Sequence, residues 1–229
     1  ARRLAADGTR VALLARRADK VHGIAKEINE MAGAELAHGF LHDVADRNKV
    51  EPLWAVIEEK IGEVGQLYYL AGVMEEVGRD EFDTEKDARH FIVNTLGSVA
   101  WVNAAAARFQ KQGAGVICGV TSVAQDRGRV RRPAYNASKA GMDTHLEAVR
   151  NRLWRKNVCV TTIRLGFVDT PLTRGVPGMF WLISADRAAE LILRSVQKRK
   201  SIAYVPARWR PLMFVIRNIP SVIFRRLNV

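Results

Sequence analysis

The sequence predicts an α/β protein built on a parallel sheet that is covered by helices on both faces. Two observations predict it. Short runs rich in β-branched and apolar residues alternate with longer amphipathic stretches along most of the chain, and chemically distinctive residues recur just after the β-rich runs. Strands that alternate with helical stretches form βαβ units, whose crossovers place helices on each side of a parallel sheet. Open sheets of this kind bind ligands beyond the carboxyl ends of their strands.

The elements follow in order. "TRVALLA" (9–15) is apolar and β-branched, hence a strand, and "DKVHGIAKEINEM" (19–31) repeats apolar residues at helical spacing. "AELAHGFL" (34–41) is a second strand, and 46–61 is a helix around Leu53, Val56, Ile57 and Ile61. "QLYYLAG" (66–72) reads as a buried strand, followed by a long helix over 84–111. "GVICGV" (115–120), a helix over 134–156, "VCVTTIRL" (158–165), a helix over 185–199 and "SIAYV" (201–205) complete the alternation. Repeats, linkers and low-complexity segments are absent, so 1–206 reads as one domain and 207–229 as a C-terminal arm.

Composition narrows the classes. With 48% hydrophobic and 26% charged residues over 229 positions, the chain is long enough for one large core. No apolar stretch approaches the ~20 residues that a membrane span needs. Cys118 and Cys159 sit in β-like runs and read as buried free thiols, which places the chain in a reducing cytoplasmic compartment. No metal-ligand cluster is present. The net charge of +12 is uneven: nine Lys or Arg and no Asp or Glu occur from Arg194 onward, leaving 27 basic against 24 acidic residues before it. Charge gathered in one tail points to what that tail touches, and no nucleic-acid recognition motif accompanies it.

"YNASK" (135–139) sets Tyr135 and Lys139 one helical turn apart. Ser122 precedes Tyr135 by thirteen residues, and Asn94 lies among apolar neighbours in the long central helix, where an amide needs partners. An ammonium beside a phenol favours the phenolate and moves the tyrosine toward a working pH. The set Asn94, Ser122, Tyr135 and Lys139 resembles the active-site tetrad of the classical short-chain dehydrogenases/reductases, with matching order from residue 1 to about 206.

That resemblance implies a Rossmann-type doubly wound fold and an oxidoreductase that interconverts a carbonyl and a secondary alcohol. It implies that Tyr135 exchanges the proton, Ser122 holds the substrate oxygen, Lys139 also holds the nicotinamide ribose, and Asn94 anchors a water chain. Arg16 and Arg17 follow the first strand, where the family meets the adenosine ribose, and a guanidinium there pairs with a 2′-phosphate. NADP(H) is therefore expected over NAD(H). "LHDVAD" resembles the segment that contacts adenine, implying Asp43 and Val44; Ala71 and Gly72 match the close backbone approach to the cofactor. Gly166, Val168 and Thr170 match the segment at the nicotinamide carboxamide. The family further implies a homodimer or homotetramer acting on a small molecule.

The chain departs from the family in places. The glycine-rich turn and the strand before it are missing, and "ARRLAADG" resembles the second half of the helix that follows them. Roughly 20 residues are expected ahead of Ala1 on the length of a βαβ unit; without them two neighbouring strands would lack a partner. "YYLAG" has Tyr69 and Leu70 where the family has two asparagines, and Leu165 stands in place of a proline.

Three segments remain open between two readings. "PLTRGVPGMFWLIS" carries Gly175, Pro177 and Gly178 beside apolar Met179, Phe180, Trp181 and Leu182; it is either a substrate lid, as in the family, or a helix pair packed on the body. Arg127, Arg129, Arg131 and Arg132 between Ser122 and Tyr135 either clamp an anion or form a solvated loop. The arm, which Pro211 and Pro220 are expected to divide into short helices, is either an interfacial element on the inner face of an anionic membrane or a cover over the pocket or a neighbouring subunit. Its basic-apolar character weakly resembles that of reductases of polyprenyl-phosphate keto sugars. A non-catalytic nucleotide-binding or membrane-associated scaffold is the alternative to an enzyme, and the intact tetrad favours the enzyme.

Overall fold

The computed structural model describes residues 1–173, 175 and 178–227. The chain divides into two compact units, Ala1–Val64 and Gly65–Val229. The first contains α1 (Arg2–Ala6), β1 (Val11–Ala15), α2 (Ala18–Ala32), β2 (Ala37–Leu41) and α3 (Val50–Ile61). β1 and β2 run parallel, with Val11 opposite Ala37 and Ala15 opposite Leu41. The crossover helix α2 turns Ala25 and Ile28 onto Ala5 and Ala37, with Val11, Leu13 and Leu36 packed alongside. α2 stops at Gly33, whose φ of 63° is the left-handed conformation that glycine reaches without steric cost. β2 begins later than the sequence predicts because Asn29 takes the Leu36 and Ala37 amides through Oδ1 and donates Nδ2 to the Ala37 carbonyl.

The second unit holds β3 (Gln66–Tyr69), α4 (Thr84–His90), α5 (Gly97–Gln112), β4 (Gly115–Ser122), α6 (Pro133–Leu153) and β5 (Val158–Leu165). There follow β6 (Val168–Asp169), β7 (Ile183–Ser184), α7 (Ala185–Gln197), β8 (Ile202–Val205), α8 (Trp209–Asn218) and α9 (Ser221–Phe224). Its main sheet is parallel in the order β3-β4-β5-β8, and β6 pairs with β7. Among the described residues β1 pairs only with β2, and β3 only with β4. One sheet face packs Cys118, Val120, Ile163, Val205 and Ala203 on Ile192 and Val196 of α7. Cys118 and Cys159 are buried free thiols, as the sequence predicts.

Two elements differ from the sequence expectation. β3 ends at Tyr69 and Leu70 is 62% exposed, so the strand does not continue to residue 72. The long central helix is α4 and α5 joined by one π-helical turn over Phe91–Leu96. Such turns arise where a side chain or other group competes for helix backbone, and here the Tyr69 hydroxyl donates to the Val93 carbonyl at 2.7 Å.

A buried charge network fixes the turn that follows β4. Arg164 on β5 grips Asp143 of α6 through two bonds of 3.1 and 2.8 Å and donates to the Tyr204 hydroxyl at 2.9 Å. Tyr204 in turn donates to Asp126 at 2.7 Å. The strand, the helix, the last strand and the turn are thereby held by one guanidinium, whose pKa the carboxylate and phenol partners raise despite its burial.

The arm packs on its own unit. Trp209 and Met213 of α8 are fully buried against Val123, with Phe167, Tyr204, Leu212 and Ile216 around them. Trp209 stacks at 5.1 Å on Phe180 and meets Phe167 and Trp181 edge-on at 5.4 Å. Arg127 donates to the Arg217 carbonyl and to Ser221, and its guanidinium lies 4.6 Å over Phe224. Pro211 does not divide the arm as expected: it occupies the first turn of α8, where its missing N–H would have had no helical acceptor. Only Pro220 separates α8 from α9. No helix among the described residues is long and apolar enough to cross a membrane.

Because Trp209 is 1% exposed, Trp209→Ala should lower stability by about 3–5 kcal/mol in urea unfolding, the usual cost of emptying an aromatic site. An unchanged midpoint would show that the arm is not part of the folded unit.

Candidate active site

Four segments converge on Tyr135 and Lys139. Pro133 starts α6 with a preset φ and no orphaned donor, which puts Tyr135 in the first turn and Lys139 one turn on. Ser122 is the last residue of β4. Its Oγ accepts from the Ala124 amide at 3.1 Å, which fixes the hydroxyl at the carboxyl end of the strand, near enough to Tyr135 to act on the acidity of its phenol. Asn94 sits in the π turn, fully buried. Its Oδ1 accepts from the Val73 amide at 2.8 Å, and its Nδ2 donates to the Val73 carbonyl and to Ser138 Oγ, both at 3.0 Å. The Ser138 hydroxyl in turn donates to the Tyr135 carbonyl at 2.9 Å. Asn94 thus serves residue 73 as a neighbouring strand would, where the ladder of β3 has ended.

The Lys139 ammonium is 5% exposed as a residue and donates to the Val120 carbonyl at 3.1 Å. Gly72 leaves the space beside it open. A Cβ there would stand 3.1 Å from Lys139 Nζ and 3.2 Å from Asn94 Oδ1, tight enough to push both groups away. The bare backbone at Gly72 and the adjacent ammonium fit a ribose held by its hydroxyls. The segment after β5 is equally constrained: a Cβ on Gly166 would collide with the Trp209 indole. Val168 lies in β6, and its carbonyl accepts from Thr170 and Thr173.

Burial opposes charge on both central groups. It raises the Tyr135 phenol above its ordinary value of 10, against the Ser122 hydrogen bond and the charges of Arg132 and Arg129, which lower it. It drops Lys139 from 10.5 to about 8. The sequence expects Lys139 to tune Tyr135; the charges that act to lower the phenol here are those of Arg132 and Arg129.

In the first unit, Arg16, Arg17, Asp43 and Val44 lie just past the carboxyl ends of β1 and β2. Arg16 and Asp43 face one another at 3.9 Å, both substantially exposed. Asp43 Oδ1 caps its own turn by accepting from the Ala45 amide at 2.9 Å. Asp43 is thus shaped by its turn, while the Arg16 guanidinium stays open to solvent. In the second unit Ala71 and Gly72 follow β3 in the segment that Asn94 secures.

Other expectations resolve in part. Around residues 171–182 the described residues form turns rather than a helix pair, with Gly175 and Gly178 at φ of 82° and 70°; Pro177 lies outside the described residues. Phe180, Trp181 and Leu182 are half exposed. Sequence reasoning missed His90. It is 1% exposed, accepts from the Glu75 amide through Nε2 at 2.9 Å, and sets its ring edge against Tyr135 with centroids 6.4 Å apart. Its Nδ1 faces the Lys86 carbonyl at 3.0 Å, which places the proton there. The spacing of His90 four residues before Asn94 was the available signal. Among the described residues no group of His, Cys, Asp and Glu is placed to hold a metal ion.

Comparison with known proteins places this geometry. A family model described as short chain dehydrogenase matches residues 1–178. An uncharacterized oxidoreductase of Mycobacterium tuberculosis is 28% identical over 227 residues, covering 99% of this chain and 90% of its own. The 3-oxoacyl-[acyl-carrier-protein] reductase of Bos taurus is 29% identical over 174 residues, 76% of this chain and 71% of its own. Among solved structures, the bulky-bulky ketone specific alcohol dehydrogenase from Comamonas testosteroni superposes with a TM-score of 0.78 at 18% identity, covering 96% of this chain and 88% of its own. A gluconate 5-dehydrogenase from Burkholderia cenocepacia, in complex with NADP and tartrate, gives 0.70 at 23% identity over 76% and 68%.

The buried lysine yields a stability test. Below pH 8 Lys139 is charged in both folded and unfolded chains, so the cost of burying the charge is fully present. Between about 8 and 10.5 the unfolded chain keeps a proton that the folded one has lost, and stability rises with pH. Lys139→Met should therefore raise unfolding stability at pH 7 by on the order of 1–3 kcal/mol, less than the full depression because the bond to Val120 is lost. It should also flatten the rise in stability above pH 8. Urea midpoints measured from pH 7 to 10 decide it; a destabilised variant would mean that the ammonium is net favourable in the fold.

Proposed function

The chain belongs to the short-chain dehydrogenase/reductase family, an oxidoreductase of alcohol and carbonyl groups that uses a nicotinamide cofactor; from this premise we propose that it is an NADP(H)-dependent reductase of an apolar ketone, with Tyr135 as its acid and base. The observation that carries the reading is the convergence of Ser122, Tyr135 and Lys139 with Asn94, which is tied through Ser138 to the Tyr135 backbone. The bound nicotinamide supplies or accepts a hydride. For reduction, the Ser122 hydroxyl donates to the carbonyl oxygen and polarises it, and the Tyr135 phenol delivers the proton that completes the alcohol. In the reverse direction the phenolate takes that proton back. Burial keeps Tyr135 protonated at neutral pH, which suits carbonyl reduction.

Lys139 and the open backbone at Ala71 and Gly72 are assigned to the nicotinamide ribose, and Gly166, Val168 and Thr170 to the carboxamide. Arg16 and Arg17 are assigned to the 2′-phosphate and Asp43 and Val44 to the adenine. The exposed Arg16 guanidinium, with only a 3.9 Å partner, supports NADP(H). Phe167, Phe180, Trp181 and Trp209 form an aromatic wall beside Gly166, which supports a bulky apolar substrate. The Comamonas enzyme is named for bulky ketones, in keeping with this wall. A lid role for 171–182 and a homodimeric or homotetrameric cytoplasmic assembly complete the proposal. The outer face of the arm carries Phe214, Val215, Val222 and Ile223, all at least half exposed, beside Arg225 and Arg226. That face supports peripheral contact with an anionic membrane surface.

Tyr135→Phe should reduce turnover of any ketone by at least about 100-fold, the low end for general acid catalysis, while NADPH affinity in a fluorescence titration changes little. Full activity would sink the mechanism. Arg16→Ala with Arg17→Ala should weaken NADPH by about 10–100-fold and leave NADH nearly unaffected, as expected from losing a charged hydrogen bond of ~1.5–3 kcal/mol. Equal losses for both cofactors would remove the 2′-phosphate assignment.

A further inference from the structure

The four arginines between Ser122 and Tyr135 separate into two kinds. Arg127 is spent on the arm, through Arg217, Ser221 and Phe224. Arg131 meets Glu76 at 3.5 Å. Arg129 and Arg132 have no such use: both are half buried, and the Nε of each is shielded from solvent without a hydrogen-bond acceptor. They are brought together by a turn in which the Arg132 amide donates to the Arg129 carbonyl at 3.4 Å. The segment is secured on both flanks, by Asn136 Nδ2 on the Arg127 carbonyl at 3.0 Å and by the Val77 amide on the Arg131 carbonyl at 3.1 Å. Arg132 precedes Tyr135 by one helical turn.

Two neighbouring guanidiniums with shielded Nε groups and no ion pair are costly, since like charges disfavour one another and desolvation disfavours charge. Arg129 shows it: burial first, then the charge of Arg132, lowers its pKa. The carboxylate that favours it, Asp126, is already committed to Tyr204 and Arg164. The chain thus supplies two fixed donors with buried N–H groups at the catalytic tyrosine and withholds the acceptor.

We propose that Arg129 and Arg132 form an oxyanion-binding subsite for the substrate, which would be a ketone carrying a carboxylate or phosphate group near the carbonyl. Planar guanidiniums match the paired oxygens of both groups. This deepens the reductase reading: the aromatic wall takes the apolar body, and the arginine pair takes the charged end and sets which carbonyl faces Tyr135. It rests on that reading for the chemistry, though not for the binding of the anion.

The test has two arms on the full chain with NADPH bound. In the first, three ketones of one skeleton are compared, carrying a carboxylate, a phosphate ester or a neutral methyl ester. The ratio of kcat/KM for the charged over the neutral ketone cancels any effect common to all substrates, including a change in the acidity of Tyr135. Arg129→Gln with Arg132→Gln should lower that ratio by about 10–100-fold for the preferred anion, the loss of one to two charged hydrogen bonds. An unchanged ratio overturns the proposal, as does a loss of NADPH affinity without a change in the ratio, which would give the pair to the cofactor. The larger loss, for carboxylate or phosphate, identifies the anion.

The second arm needs no turnover. Thermal unfolding is followed while inorganic phosphate, or malonate, replaces chloride at constant ionic strength. The wild type should gain several degrees and the double variant should not; equal gains overturn the subsite even if every ketone is inert. If the double variant does not fold, Arg132→Lys keeps the charge while losing the fork, and should show the same loss in smaller measure. A Tyr135→Phe protein that retains the phosphate or malonate response, while being inactive or active, separates the failure of the reductase reading from that of the subsite.

Discussion

The second unit depends on one carboxamide. Asn94 closes the backbone of residue 73 with two bonds, binds Ser138 on α6, and stands against Gly72 and Lys139. β3 has run out of ladder by Tyr69, so the chain from 70 to 77 needs side chains to satisfy its backbone. Asn94 and His90, four residues apart on one helix face, provide them. The π turn is what aims them: it widens the helix where the Tyr69 hydroxyl takes the Val93 carbonyl. A buried amide with unmet bonds would cost about 1–3 kcal/mol for each group left unsatisfied, so Asn94 has little freedom to be anything else. Its fixed bonds leave at most one lone pair for the water that the family assigns to it.

Electrostatics within the site run against simple expectation. Burial disfavours charge on the central pair, raising the phenol and lowering the ammonium. The charges that act to lower the phenol are carried by guanidiniums, which do not lose their protons in proteins. Their position follows from the turn after β4, and that turn is held by Asp126 on Tyr204 and Arg164. The network of Arg164, Asp126 and Tyr204 thereby anchors the start of the segment that carries Arg129 and Arg132.

Much of this was legible in the sequence, for physical reasons. Strand and helix periodicity recovered the β4, β5, α2 and α6 regions because their apolar faces repeat without interruption. Tyr135, Lys139 and Ser122 were readable because their chemistry fixes their spacing along one strand and one helix. The end of β3 was not, since "YLAG" carries the same apolar signal whether or not a neighbouring strand is there. The π turn was hidden because it depends on Tyr69, 24 residues earlier. The division of the four arginines was equally invisible: Arg127 is spoken for by residues 90 and 94 positions away, and no local pattern encodes that.

The arm draws these points together. Trp209 lies on Gly166 so closely that no other residue fits there, and Gly166 is the residue that leaves β5 toward the segment assigned to the cofactor. Met213 closes over Val123, the residue after Ser122. Arg127, which begins the arginine turn, reaches the far end of α8 and α9. The arm therefore touches the flanks of three site segments at once without contributing a group to the chemistry. Any shift of α8 would be felt first at Gly166 and at the turn carrying Arg129 and Arg132. The opposite side of the same two helices leaves Phe214, Val215, Val222 and Ile223 at least half exposed, so the arm's packing on the site rests on Trp209 and Met213 alone among its fully buried side chains.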